Sequence, residues 1–167
     1  MTHFLIRPAE EPEVLLLLGL IHELAEAEAF PFPITVTEKD LCISFYGPQP
    51  AAVTALGFED DKLVGFAVFY ETFATTTGKR GMHIDDLFVR PEFQGQDYGR
   101  AFIGYIAKIA KERGCARFEW WALKTNINAI GFFQSIGARP MEELLIFRTQ
   151  GSNIDKLLDI LSTKGKV

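Results

Sequence analysis

The sequence has few of the residues that build disulfide scaffolds and metal clusters. Among 167 residues there are two cysteines, Cys42 and Cys115, and three histidines, His3, His22 and His83. The cysteines show no Cys-x-x-Cys spacing and have no histidine cluster around them, so they read as reduced core thiols of a cytoplasmic protein. The histidines are scattered, and no metal is expected. Positive charge is also scarce, with 17 Lys and Arg against 22 Asp and Glu and a net charge of -5. Nucleic-acid binders carry the opposite balance, so that class is disfavoured and cationic partners, amines among them, are favoured. The one long apolar run, Val14 to Ile21, falls far short of the roughly 20 residues that a bilayer span needs. It follows Glu10, Glu11 and Glu13, where a secretory leader needs positive charge. Neither a membrane span nor a targeting segment is expected. What the chain does have is apolar material, 48% hydrophobic and 13% aromatic. That suffices for a sizeable core in one α/β domain over residues 1–167, and it excludes disordered and collagen-like classes.

Punctuation and periodicity predict the order β-α-α-β-β-β-α-β-α-β. Phe4 to Arg7 is an opening strand, and Glu13 to Glu28 a helix broken by Pro31 and Pro33. Thr37 is an N-cap with Asp40 three residues on, and Gly47 to Pro50 ends that element. Ala51 to Phe58 and Leu63 to Phe73 form a hairpin, with 75–80 as the tip before a further strand, Met82 to Val89. Phe102, Ile103, Ile106, Ile109 and Ala110 share one face of a helix from Gly99 to Arg113. Arg117 to Leu123 is a strand, Asn126 to Ser135 a helix ended by Gly137, and Glu143 to Thr149 a last strand. Asn153 to Leu161 is a short amphipathic helix.

The segment from Ile84 to Arg100 carries the chemistry. A strand runs through Val89-Arg90-Pro91-Glu92-Phe93 into a loop with Gly95 and Gly99, and the loop opens a helix. Free backbone N–H groups at such a start suit phosphate oxygens, although two glycines also serve a plain turn. Val89-Arg90-Pro91-Glu92-Phe93 followed by Gln94, Gly95 and Gly99 resembles the acetyl-CoA-binding motif of the GNAT N-acetyltransferases. Asn126-Ile127-Asn128-Ala129-Ile130-Gly131-Phe132-Phe133, with Gly137-Ala138, resembles that family's following helix. Within it, the spermidine/spermine and thialysine (diamine) branch is the most similar, through Ile6-Arg7-Pro8-Ala9, Glu23-Leu24-Ala25 with Glu28, and Thr37-Glu38-Lys39-Asp40-Leu41. Val64-Gly65-Phe66-Ala67 and Asp85-Asp86 with Phe88-Val89 continue the likeness, which covers residues 4 to 148.

The resemblance implies a mixed, mostly antiparallel sheet splayed at the acetyl-CoA site, with helices on both faces. It implies direct acetyl transfer from acetyl-CoA to a primary amine of a small polyamine- or lysine-like substrate, and a homodimer. Leu87, Phe88 and Val89 would pair with pantetheine, and Gln94, Gly95, Gln96, Asp97, Tyr98, Gly99 and Arg100 would hold the pyrophosphate. Asn126, Ala129 and Phe133 match further cofactor positions. Asp85 is the candidate catalytic carboxylate, attracting and deprotonating the ammonium. Glu28, Glu119, Trp121 and Glu142 are candidates for the amine site. Read on their residues alone, Asp85 also serves as a strand-end cap and Glu28 as a solvated helix charge.

Two positions depart from the family pattern. Phe133 stands where relatives carry a tyrosine whose hydroxyl serves the departing sulfur, and it has no donor. Asp97 replaces a loop glycine. As a helix-start carboxylate it is expected to stabilise the fold, and as an anion to oppose the pyrophosphate. Both departures motivate a second reading, a non-catalytic acyl-CoA-binding domain.

Overall fold

The computed structural model describes residues 3–30 and 33–162, so Pro31 lies outside the described residues. The chain divides into two compact units, 1–130 and 131–167.

In the first unit, strand β1 (Phe4–Pro8) leads through a 3-10 turn (Glu11–Glu13) into helix α1 (Val14–Ala27). The turn is fixed by Glu13, which accepts the Glu10 N–H at 2.9 Å and both terminal nitrogens of Arg7 at 2.8 and 2.7 Å. Hydrogen bonding from Arg7 holds the Glu13 carboxyl below its ordinary range. Val14, Leu17, Leu20 and Leu24 form the buried stripe of α1. The helix ends ahead of the prolines. Ala29 turns left-handed at φ 49°. The N–H groups of Ala29 and Phe30 return to the carbonyls of Glu26 and Ala25 at 3.2 and 3.0 Å. Thr37 caps α2 (Glu38–Leu41) as expected. Its hydroxyl accepts the Asp40 N–H at 3.2 Å, and the Asp40 carboxylate accepts the Thr37 N–H at 2.9 Å. A single π turn (Cys42–Tyr46) follows.

Strands β2 (Val53–Glu59), β3 (Lys62–Ala74), β4 (Lys79–Val89) and β5 (Arg117–Trp120) join β1 in one sheet of order β1-β2-β3-β4-β5. All pairs are antiparallel except β4–β5, which is parallel because helix α3 (Tyr98–Glu112) crosses between them. The β3–β4 tip is shorter than expected, since Lys79 and Arg80 already pair with Ala74 and Phe73. Adjacent strand residues face opposite ways, and Leu56 and Gly57 of β2 show what covers each side. Leu56 clusters with Leu17, Leu20 and Leu24 of α1 and with Phe66, Val68 and Phe88. A Cβ on Gly57 would meet the Phe102 ring of α3 at 2.6 Å. Helices therefore cover both faces. Full burial of residues such as Phe66, Leu17 and Phe102 contributes about 1.5–3 kcal/mol each.

Helix α4 (Ile127–Ser135) runs into the second unit, where Gly137, at φ 89°, follows its end. Helix α5 (Ser152–Ser162) closes the described chain. The strand expected at Glu143 to Thr149 does not form; those residues are irregular. A strand must pair its backbone groups with a neighbour, and the described residues of this unit hold no strand to serve as one. Leu144, Leu145, Ile146 and Phe147 are exposed.

Gly65 brings β3 against the end of β4. An added Cβ there would strike the Phe88 carbonyl and lie 3.0 Å from the Val89 Cα, both backbone that cannot turn aside. Gly65→Ala is expected to lower stability by about 1–3 kcal/mol, read as a fall in Tm. An unchanged Tm would show that the strands tolerate a wider spacing.

Candidate active site

The site begins where the sheet stops being a sheet. Parallel pairing of β4 with β5 runs only from Gly81↔Arg117 to Ile84↔Trp120. The fifth strand ends there, three residues sooner than Leu123, while β4 continues to Val89 beside β3 alone. At the parting point β4 carries a bulge. Val68 and Phe69 of β3 lie opposite Asp86 and Ile84, so Asp85 is the inserted residue with no counterpart. Asp85 is exposed and Asp86 half-buried.

Asp86 was missed by sequence reasoning, which took only the first aspartate of the pair. Burial, the Asp85 charge and the Glu28 charge, in that order, push its carboxyl up to about 6. Glu28, at the end of α1, accepts a hydrogen bond from Asn126 Nδ2 at 3.3 Å. Ala27, Glu28, Leu123, Thr125 and Asn126 line a groove of about 250 Å³. Asn126 also receives the Ala129 N–H on its Oδ1 at 3.1 Å, so it caps α4 while orienting Glu28. Three carboxylates from α1 and the bulge thus share one electrostatic neighbourhood. This is the arrangement that raises a pKa toward neutrality.

Past Val89 the backbone is held by side chains. Arg90 forks onto Glu23 of α1 at 2.8 and 2.7 Å and donates to the Leu63 carbonyl at 3.0 Å. No local pattern signals this tie. Gln94 Nε2 donates to the Val89 carbonyl at 2.9 Å, and Gln96 Nε2 to the Glu92 carbonyl at 3.4 Å. Gly95, at φ 77°, supplies the left-handed turn before α3. Tyr98 faces the other way: its hydroxyl donates to Glu59 and its ring stacks on Phe4 at 4.2 Å. The Phe88 side chain belongs to the α1 core, Leu87 and Val89 are half-buried, and Gly99 lies in the first turn of α3.

Asp97 occupies the N-cap position of α3 with φ 63°, and its side chain accepts no backbone N–H. The carboxylate is 83% exposed and lies 3.4 Å from Arg100 Nε. A left-handed backbone explains why the family motif has glycine here. The expected stabilising cap is absent.

Of the remaining candidates, Glu119 pairs with Arg117 at 3.1 Å. Trp121, 52% exposed, meets His83 edge-on at 4.8 Å. Phe133 and Glu142 lie in the second unit. There Phe133 packs against Phe132 at 5.4 Å, and Glu142 is exposed. Among the described residues no His, Cys, Asp and Glu group has the makings of a metal site, and no helix is long and apolar enough to cross a membrane.

The parallel pair thus opens beside a left-handed loop and a helix start. The chain belongs to the acetyltransferase (GNAT) family, whose model matches residues 20–138. It is similar to a thialysine N-epsilon-acetyltransferase of Sus scrofa, 30% identical over 151 residues, 86% of this chain and 88% of the relative. It is also similar to an L-ornithine N5-acetyltransferase of Arabidopsis thaliana, 32% identical over 101 residues, 59% of this chain and 44% of that protein. An integron cassette protein from V. cholerae shares the fold with a TM-score of 0.77 at 28% identity, covering 93% of this chain and 97% of its own. The chain is thus an N-acetyltransferase by family.

Since Asp97 makes no cap bond, Asp97→Gly relieves left-handed strain of about 1–2 kcal/mol while giving up a helix-start charge worth about 0.3–1 kcal/mol. Stability should therefore hold or rise, whereas glycine in place of a bonded cap would lower it by about a few tenths of a kcal/mol. Thermal unfolding of the two proteins separates these outcomes.

Proposed function

We propose that this single-domain enzyme transfers the acetyl group of acetyl-CoA to a primary amine of a small, lysine- or polyamine-like substrate by direct attack in a ternary complex. The observation that carries this reading is the set Glu28, Asp85 and Asp86 gathered where β4 parts from β5. An amine substrate arrives as an ammonium ion, must be attracted, and must lose a proton before it can attack. The relatives named for thialysine and ornithine acetylation support the same substrate class.

The residues present fit acetyl-CoA. The edge of β4 from Leu87 to Val89 is free of a fifth-strand neighbour, a ready place for pantetheine to pair. The segment from Gln94 to Arg100 has two left-handed residues, Gly95 and Asp97, ahead of a helix start at Tyr98 that suits phosphate oxygens. When bound, the thioester supplies the acetyl group. The chain's own residues do the rest. Exposed Asp85 draws in the ammonium. Asp86, half-buried with a carboxyl near 6, is ionised at neutral pH yet basic enough to take a proton, and so replaces Asp85 as the proton acceptor. Glu28, fixed by Asn126, keeps the amine at the mouth and raises the basicity of Asp86. Phe133, at the family's tyrosine position, carries no hydroxyl.

Asp86→Asn should lower kcat/KM at least a hundredfold, more than Asp85→Asn does. In the parent enzyme kcat/KM should rise with pH through about 6, the value to which the Asp86 carboxyl is raised. The same shift predicts a stability effect of opposite sign. A carboxyl raised from 3.8 to about 6 is held charged at pH 7 at a cost of about 3 kcal/mol. Asp86→Asn should thus raise Tm above pH 6, with the gain shrinking as pH falls from 6 to 4 and absent below about 4. Full activity in Asp86→Asn would remove Asp86 from the chemistry.

Asp97→Gly tests the loop independently. Removing a carboxylate within a Debye length of about 8 Å of the diphosphate, and freeing Arg100 from it, should tighten CoA binding. Calorimetry at two salt concentrations should show the gain shrinking at the higher one. Equal affinities at both would place the diphosphate away from this loop.

A further inference from the structure

His83 is 3% exposed, and its Nε2 has no hydrogen-bond partner among the described residues. A buried nitrogen left without a partner is destabilising. It stands in a cross-sheet row, with Tyr70 of β3 opposite His83 and Glu119 of β5 on its other side. The imidazole lies 5.2 Å from the Tyr70 ring and 4.8 Å from Trp121. Val68 and Asp86 form a neighbouring row two β3 residues away, roughly 7 Å along the strand. Tyr70 follows Val68 by two residues, so both rows occupy the face that α1 covers. The proton acceptor and the orphan imidazole are therefore one short alkyl chain apart on one surface.

The charged groups around the imidazole are Asp85 on its own strand and Glu119 and Arg117 on β5, and Tyr70 and Trp121 flank it. Arg117 is paired with Glu119 at 3.1 Å, so the surroundings are net negative. Burial outweighs the pull of both carboxylates and keeps His83 neutral, with its pKa below the ordinary value. A neutral ring nitrogen between aromatic faces and carboxylates suits an ammonium N–H.

We propose that this row is a subsite for the second ammonium of a diamine substrate, and that His83 sets the preference for diamines over monoamines. The proposal rests on the amine acetyltransferase reading above. Tyr70 and Trp121 supply the aromatic walls, and Asp85 and Glu119 the charge. His83 Nε2 accepts the hydrogen bond once the half-exposed indole of Trp121 turns aside.

The experiment compares cadaverine with pentylamine, a diamine and a monoamine of equal length, as acetyl acceptors. His83→Phe should raise KM for cadaverine about tenfold more than for pentylamine, and His83→Gln, which keeps a neutral acceptor, should restore most of the difference. In the parent enzyme the preference for cadaverine should fall as pH drops through the depressed His83 pKa, because an imidazolium repels the second charge. His83→Gln should flatten that profile. Titration of Asp86 affects both amines alike and cancels in the ratio. Equal KM changes for the two amines, or a pH-independent ratio, would overturn the proposal. If the parent enzyme acetylates neither amine, the functional reading itself fails. Calorimetric titration with cadaverine then decides the subsite alone: heat that His83→Phe abolishes sustains it, and absence of heat overturns it.

Discussion

The fourth strand is paired on both edges for its first half and on one edge for its second. Everything at the site depends on that change. Up to Ile84 the backbone groups of β4 are used by β3 and β5; after it, only β3 remains. The bulge at Asp85 sits at the transition, where an extra residue bends the strand and re-aims two neighbouring carboxyls. A regular strand would place Asp85 and Asp86 on opposite faces. The insertion lets both carboxylates act on one neighbourhood with Glu28, as the charge effects of Asp85 and Glu28 on Asp86 record.

That neighbourhood is costly. Three carboxylates repel, and one of them has lost much of its hydration. Asp86 is registered against Val68, a member of the apolar cluster with Leu17, Leu20, Leu24 and Phe88; its burial raises the carboxyl, and the gain is a base whose pKa lies near neutral pH. Sites that combine desolvation with like charges are where acid–base chemistry is found. The net charge of -5 and the acidic site point the same way, toward a cationic substrate.

Much of the fold was legible because it rests on local signals. The Thr37–Asp40 box, the apolar face of α3 and the Gly137 terminator each depend on residues within one turn. The loop motif and the carboxylate pair were legible too, as types. What the sequence withheld was anything set by register or by a distant partner. Which aspartate turns inward follows from the offset of β4 against β3, a long-range property. The Arg90–Glu23 fork joins residues far apart in the chain. A carboxylate before a helix reads as a cap unless the backbone φ is known, and at Asp97 the left-handed turn prevents it. The strand expected at Glu143 to Thr149 has suitable residues, but composition cannot supply a partner.

The stretch from Asp85 to Arg100 holds both the proposed proton acceptor and the proposed diphosphate loop, so an error in its course would displace both at once. Its course is fixed repeatedly. Asp86 is registered against Val68, Arg90 is forked onto α1, Gln94 folds back on Val89, and Tyr98 is anchored to Glu59 on β2 and stacked on β1. Each tie reaches a different element, so no single neighbour can shift the stretch without straining the others. Sequence motifs name the loop because its glycine and helix start are local. The precision that chemistry requires comes from the nonlocal ties, and these use ordinary residues, an arginine, a glutamine and a tyrosine, that carry no motif of their own. Preorganisation here is a property of the sheet, α1 and the loop together, and the few residues in contact with substrate inherit it.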